Sequence, residues 1–380
     1  MRDKCILRLF MALPICLLLG CCMEISVQAG NVTAPEKTQT ATACRDIPPG
    51  EDQEITLGFA GDVNLDENWS TTKYLNRQKN GIADCFSADL IQQMQQFDVF
   101  MLNNEFTYST SGTPLKGKAY TFRADPSRVM NLEKLGTDVV LLANNHVYDY
   151  GKDAMLDTFD TLTQAGIPYV GAGRNLKEAS TPVYFSSNGH LIAYVAASRA
   201  EKYKMTPQAT ESEPGILRCY DMTDYLEEIR EADARADYVV ASVHWGTEYD
   251  NHASELQRKM AQQMIDAGAD AVIGTHPHVL QGMEYYRGKP IIYSLGNFWF
   301  NDKDLYTGML ELTLDVSDKK EDPQVKKVRF IPCVQSDLVT KEAEDDRFRQ
   351  KIFRFEQKIS FGVKISTDGT VTEADKSDKS

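Results

Sequence analysis

From residue 54 onward the chain alternates between two hydrophobic patterns. Short runs rich in β-branched and aromatic residues predict strands: EITLGFAG (54–61), FDVFMLN (97–103), DVVLLAN (138–144), DYVVASV (237–243) and DAVIGT (270–275). Between them CFSADLIQQMQQ (85–96), DPSRVMNLEKLG (125–136), GKDAMLDTFDTLTQAG (151–166) and ASELQRKMAQQMIDAG (253–268) space their apolar residues for helices, several stopping at Gly. Strands alternating with helices predict an α/β fold. Further on, DPQVKKVRFIPCVQ (322–335) reads as sheet-edge strands, and TKEAEDDRFRQKIFRFEQKI (340–359) as a short surface helix packed through Ile352, Phe353 and Phe355. The final STDGTVTEADKSDKS (366–380) is polar enough to be read as disordered.

Each strand run is followed by a residue able to bind a metal or move a proton. Asp62 follows the first, Glu105 the second, Asn145 and His146 the third, His244 the fourth, and His276 with His278 the fifth. In an α/β sheet functional groups collect outside the carboxyl ends of the strands, so these positions can converge despite their separation in sequence. Taken singly, each has a plain structural reading: a turn aspartate, a turn asparagine, a hydrogen-bonded histidine. Taken together, Asp, Glu, Asn and imidazole form the oxygen and nitrogen set suited to Mn, Fe or Zn. Pro277 lies between two of the six histidines and disfavours helix at His276, so THPH is expected in extended chain with both imidazoles on one side.

The first residues, MRDKCILRLFMALPICLLLGCCMEISVQAG, carry a charged start and then no charge between Arg8 and Glu24, as a secretory signal does. Within it LLGC (18–21) resembles a lipoprotein lipobox with Cys21 as the lipidated residue; cleavage after Ala29 is the alternative. Residues 1–29 are thus assigned as signal, 30–54 as a tether rich in Thr, Ala and Pro, 55–335 as the folded domain and 336–380 as a charged C-terminal extension. The chain is expected to be exported and held at the outer face of the bacterial cytoplasmic membrane by a lipid anchor. A net charge of −14 with no dense basic run argues against nucleic acid as a partner. Beyond the signal, Cys44, Cys85, Cys219 and Cys333 form no CxxC pair; they are left as disulfide formers or small packed side chains.

Seven stretches together resemble the bacterial capsule-synthesis CapA proteins, also called poly-γ-glutamate synthesis proteins, which are similar in fold to calcineurin-like metallophosphoesterases: GFAGDVNLD (58–66), LNNEF (102–106), LLANNHVYDYG (141–151), YVGAGRNLKEA (169–179), SVHWGTEY (242–249), GTHPHVLQG (274–282) and YSLGNFWF (293–300). The resemblance implies a four-layer α-β-β-α sandwich with a metal site at one edge. It implies two divalent ions held by Asp62, Glu105, Asn145, His244, His276 and His278, with Glu105 in the bridging place. His146 would approach the leaving group, oriented and kept in its acidic form by Asp149. Two positions depart from the phosphoesterase pattern: Asn64 stands where a histidine is usual, and Glu105 where an aspartate is usual.

The implied chemistry is attack of an ion-activated water on a phosphoryl or acyl centre of an anionic surface polymer or its precursor, within a membrane polymer-synthesis complex. A non-catalytic scaffold subunit and a small-substrate phosphodiesterase or nucleotidase are the alternatives, and Asn64 is the feature that favours the scaffold. Asn64, Arg174 in GAGRN, Glu248 in HWGTEY and Asn297 in SLGNF are further candidates for substrate contact or support. His190 is expected to be structural and His252 to lie at the surface.

Overall fold

The apolar runs pair into two sheets in the computed structural model, which describes residues 45–200 and 205–374. Its main strands are β1 (Arg45–Asp46), β2 (Glu54–Val63), β3 (Val99–Asn104), β4 (Val139–Leu141), β5 (Tyr169–Val170), β6 (Val183–Ser187), β7 (His190–Arg199), β8 (Tyr238–Trp245), β9 (Ala271–Thr275), β10 (Leu280–Tyr286), β11 (Lys289–Leu295), β12 (Asn297–Trp299), β13 (Leu305–Asp315), β14 (Gln324–Ser336) and β15 (Val339–Glu342). Its main helices are α1 (Ala88–Gln96), α2 (Met130–Lys134), α3 (Lys152–Gln164), α4 (Thr223–Asp233), α5 (Glu255–Asp266) and α6 (Asp346–Ile359). One sheet runs β15-β14-β13-β2-β3-β4-β5, with β12 beside β2; the other runs β1-β6-β7-β8-β9-β11-β10. In the first, β2 to β5 are parallel; in the second, β7, β8, β9 and β11 are.

The pleat sorts each strand into two faces. In β8, Val239, Ala241, Val243 and Trp245 point outward and pack with Tyr225 and Ile229 of α4 and Met260 and Met264 of α5. The alternate residues face the other sheet: Val240 joins the central core with Phe59 and Met101, and Ser242 Oγ reaches Met101 Sδ at 3.7 Å. His244 continues that inward series at the end of the strand. A one-residue slip of β8 would turn it outward, so the alternation that builds the core also aims the imidazole. With helices outside both sheets, the fold is the four-layer α-β-β-α sandwich.

The C-terminal residues differ from the expected extension. Helix α6 is capped by the Asp345 carboxylate, which accepts from the Phe348 amide at 2.9 Å, and it buries Ile352, Phe353 and Ile359. Past it, Phe361 N–H donates to Met283 O at 2.8 Å along the outer edge of β10. Residues Val363–Ile365 and Val371–Glu373 pair as a small hairpin, and Tyr285 Oη donates to Val371 O at 2.9 Å. Through residue 374 the polar tail is therefore ordered, because the exposed edge strand supplies backbone partners that composition does not reveal. At the other end Arg45–Asp46 pairs with β6 and Ile47 is buried, so the tether enters the sheet before residue 54. Ile352→Val is expected to cost about 1 kcal/mol in urea unfolding of the whole domain. A helix merely appended to the fold would leave that transition unmoved.

Among the described residues no helix is long and apolar enough to cross a membrane. The signal segment, Cys21 and Cys44 lie outside the described residues. Cys85, Cys219 and Cys333 are buried free thiols, packed as small apolar side chains.

Candidate functional site

Five parallel strands deliver the chemistry-bearing residues to one edge of the sandwich. Asp62, near the end of β2, lies in register with Asn103 of β3 and Asn297 of β12. Glu105 follows β3 directly and is held by its own N–H donating to Val63 O at 3.1 Å. After β4, Asn144 fixes the turn: its Nδ2 donates to Asn103 Oδ1 at 3.0 Å and Asn104 O at 2.8 Å, while its Oδ1 accepts from the His146 amide at 3.0 Å. From the other sheet, His244 of β8 stands in register with Thr275 of β9.

The THPH segment departs from expectation. β9 ends at Thr275, and the next two histidines have φ of +99° at His276 and +59° at His278, so neither is extended. Such a backbone at non-glycine residues costs on the order of 1–3 kcal/mol each and persists only where the surroundings impose it. Here Pro277 O accepts the Tyr249 amide at 2.7 Å, tying the segment to the turn after β8. The imidazoles still converge, with ring centroids 5.8 Å apart, but through two left-handed residues rather than through strand alternation.

The side chains close around Glu105, which is fully buried. Its Oε1 lies 3.5 Å from His244 Nε2 and 3.9 Å from Nε2 of both His146 and His278. Asp62 Oδ2 is 3.1 Å from His278 Nδ1, which also meets Asn297 Oδ1 at 2.8 Å. His244 Nε2 is 2.7 Å from Asn145 Oδ1, and its Nδ1 is 2.9 Å from Thr275 Oγ1. Asn103 ties the two carboxylates together, its Nδ2 donating to Asp62 Oδ1 at 2.7 Å and Glu105 Oε2 at 3.1 Å. Two overlapping sets result, Asp62–Glu105–His278 and Glu105–His244–His276, each with one donor atom per residue within 4.8 Å of the others.

The electrostatics suit a cation. Asp62 Oδ2, Glu105 Oε1 and His276 Nδ1 are buried without a hydrogen-bond partner, an arrangement that is costly unless something positive and oxygen- or nitrogen-seeking sits among them. Burial, and then the neighbouring Asp62 charge, push the Glu105 carboxyl well above its usual 4.5. Burial likewise holds His244 and His276 well below 6.5, so both are neutral near pH 7 with lone pairs available. Two buried carboxylates and neutral imidazoles match the donor preferences of Mn, Fe or Zn.

His146 differs in charge from expectation. Its Nδ1 is 2.6 Å from Asp149 Oδ2, as anticipated, but burial outweighs that carboxylate and lowers the imidazole's pKa below 6.5. Lys118 is a further reason: its ammonium lies 2.6 Å from Asp149 Oδ1, compensating the charge meant to stabilise an imidazolium, and also donates to Asn145 O. Nothing in SGTPLKGKAYTF distinguishes this lysine in sequence, because it rides a loop without periodicity. Asn103, beside Glu105 in LNNEF, is equally indistinct in sequence as one of two adjacent asparagines at a strand end. Phe122 and Phe300 cover the centre, with ring centroids 4.4 Å from His146 and His278 respectively.

The remaining candidates divide. Asn297 holds His278 as described, and Glu248 lines a cleft of about 570 Å³ beside Lys118, Asn145 and His276. Asn64 is fully buried, and its Oδ1 accepts from the Asp66 amide at 2.8 Å, closing a turn rather than facing a substrate. Arg174 does not join the centre: its guanidinium pairs with Asp160 of α3 at 2.5 Å and lies over the Phe159 ring. The guanidinium read from GAGRN as an anion-holding candidate is thus engaged by a helix carboxylate. His190 is buried and His252 exposed, as expected.

The sequence profile of the family described as "Bacterial capsule synthesis protein PGA_cap" matches residues 56–302, a span that contains every residue placed at this centre. "Capsule biosynthesis protein CapA" of Bacillus anthracis is 31% identical over 277 residues, covering 69% of this chain and 64% of that protein. "PGA biosynthesis protein CapA" of Bacillus subtilis (strain 168) is 30% identical over 301 residues, covering 79% of this chain and 74% of that protein. The solved structure of the NAD nucleotidase NadN of Haemophilus influenzae is similar at 12% identity and a TM-score of 0.45, covering 81% of this chain and 63% of that one. That likeness is too distant to carry an argument. The profile match and the two Bacillus relatives do carry one: this chain belongs to the bacterial capsule synthesis protein PGA_cap family.

Proposed function

We propose that the chain is a membrane-anchored, extracytoplasmic, metal-dependent hydrolase or transferase that acts on an anionic surface polymer of the poly-γ-glutamate type or its precursor. The observation that carries this reading is Glu105 Oε1, fully buried, without a hydrogen-bond partner, and ringed by three imidazole nitrogens at 3.5–3.9 Å. Asp62, Glu105 and His278 would hold one divalent ion, and Glu105, Asn145, His244 and His276 a second. When bound, such ions polarise a phosphoryl or acyl oxygen and make a water nucleophilic at neutral pH.

The chain's own groups do the rest. With Nδ1–H directed at Asp149, neutral His146 offers its Nε2 lone pair to the centre, where it takes a proton from the attacking water and returns it to the leaving group. Lys118 clamps Asp149 and so fixes that orientation. It also adds positive potential beside the ions, which an anionic substrate needs in order to approach a chain of net charge −14. Export and lipidation at Cys21 would set the work outside the membrane and within a polymer-synthesis complex. The scaffold reading draws on Asn64, whose oxygen is engaged by Asp66 and removes one ligand from the phosphoesterase pattern.

Calorimetric titration of the ion-free full chain with Mn²⁺ or Zn²⁺, alongside turnover of a generic phosphodiester and a γ-glutamyl amide, tests the proposal. Because Glu105 holds its proton above pH 4.5 in the ion-free protein, binding must release it. Affinity is expected to rise with pH until Glu105 has lost its proton in the ion-free protein and then to level off, with up to about one proton released as the centre fills in buffers of differing ionisation heat. Binding without turnover of either substrate class would favour the scaffold; no binding would remove the metal centre.

A further inference from the structure

Outside the two sets that share Glu105, a third group of donors converges on the same two histidines. Glu248, His276 and His278 each present one ligand atom, all within 4.8 Å of one another. Unlike Asp62 and Glu105, Glu248 is exposed, and it stands on the wall of the cleft that opens over His276. Its position is imposed by the fold. The turn after β8 has φ of +97° at Gly246 and +60° at Tyr249, and the Tyr249 amide is bonded to Pro277 O at 2.7 Å, between the two histidines. The Tyr249 ring lies 6.0 Å from the His278 ring and carries Lys303 Nζ 3.5 Å from its centroid. His276 is buried and no protein group hydrogen-bonds its Nδ1, so the ion that this imidazole would hold is the one Glu248 can also reach.

We infer that Glu248 is a cation ligand at the mouth of the centre, adding an exposed carboxylate to the ion held through His276, with His278 beside it. This rests on the metal-centre reading above. The chemistry is complementary to the change at position 64: the inner side of the centre has lost a donor, since Asn64 Oδ1 is held by the Asp66 amide, while the cleft side gains a carboxylate. Glu248 is also the one carboxylate of the three that solvent reaches, so it is the ligand that an anionic oxygen of a substrate would displace on entering the cleft.

Titrating the full chain with Mn²⁺ alone, by calorimetry and by the Mn²⁺ paramagnetic resonance signal, tests this in wild type, Glu248→Gln and Glu105→Gln. Glutamine keeps the hydrogen-bonding shape and removes the charge. Glu248→Gln is expected to bind its weakest ion at least roughly tenfold less tightly and to change the resonance line shape. Its unfolding temperature without ions should equal that of wild type, because the side chain is exposed. Unchanged affinity and line shape in Glu248→Gln, with affinity lost in Glu105→Gln, would overturn the inference and leave the metal centre standing. No Mn²⁺ bound by wild type would overturn both.

Discussion

Glu105→Gln is expected to weaken divalent-cation binding more than a hundredfold while making the ion-free protein more stable. The two effects share one cause. Glu105 is buried with a second carboxylate, Asp62, and its Oε1 has no hydrogen-bond partner. Removing one member of a buried charge-compensated set costs roughly 3–5 kcal/mol of that set's interaction, which is upward of a hundredfold in affinity. Without the ion the same carboxyl is a liability. Its folded pKa lies well above 4.5, so the folded state binds more protons than the unfolded one as pH rises past that value, and stability falls through the window. Glutamine has no such titration. The ion-free variant should therefore melt higher than wild type at pH 7 and lose the downward slope that Glu105 contributes above pH 4.5. Calorimetric titration and thermal melts with chelator check both halves. A variant that binds ions normally and melts lower would mean that Glu105 is a structural carboxyl and that the centre lies elsewhere.

The strand runs were legible because burial between two layers demands continuous apolar stretches, and the residues at their ends were legible because parallel strands share a carboxyl edge. The positions of Asp62, Glu105, Asn145, His244, His276 and His278 at successive strand ends carry the convergence in the sequence itself. How it is achieved is not written there. Proline at 277 restricts His276 but leaves open which non-helical basin it takes, and the bond from Tyr249, distant in sequence, decides for the left-handed one. His146 shows a second limit. Its partner Asp149 was visible three residues away, but the charge on the imidazole depends on burial and on Lys118, which arrives from a loop about thirty residues upstream. Arg174 is the converse case: a guanidinium at a glycine-rich turn looks free in sequence until the facing helix presents Asp160. The C-terminal residues fail for the same reason, since a polar tail is indistinguishable from a solvated one until the edge strand that binds it is known.

A substitution at Gly61 should damage fold and centre together. A Cβ on Gly61 would lie 1.8 Å from Gly296 O, a backbone atom that cannot swing aside, and that carbonyl accepts the Asp62 amide at 3.0 Å. The clash would force β2 away from the Gly296–Asn297 segment, whose Asn297 in turn holds His278 Nδ1. Overpacking ordinarily costs 1–3 kcal/mol; with backbone on both sides of the contact, Gly61→Ala is expected to reach about 3 kcal/mol or more in urea unfolding. Its folded fraction should also bind Mn²⁺ less tightly, because Asp62 and His278 are no longer brought into the same set. Gly58→Ala, earlier in the same strand, is the control: there the added Cβ would meet the Phe97 ring at 2.1 Å, on the helix side of the sheet. It should lose stability yet bind Mn²⁺ as wild type does. Equal loss of affinity in both variants would show that the centre responds to general destabilisation of β2; loss in Gly61→Ala alone ties it to the contact between Gly61 and Gly296 that sets Asp62 beside His278.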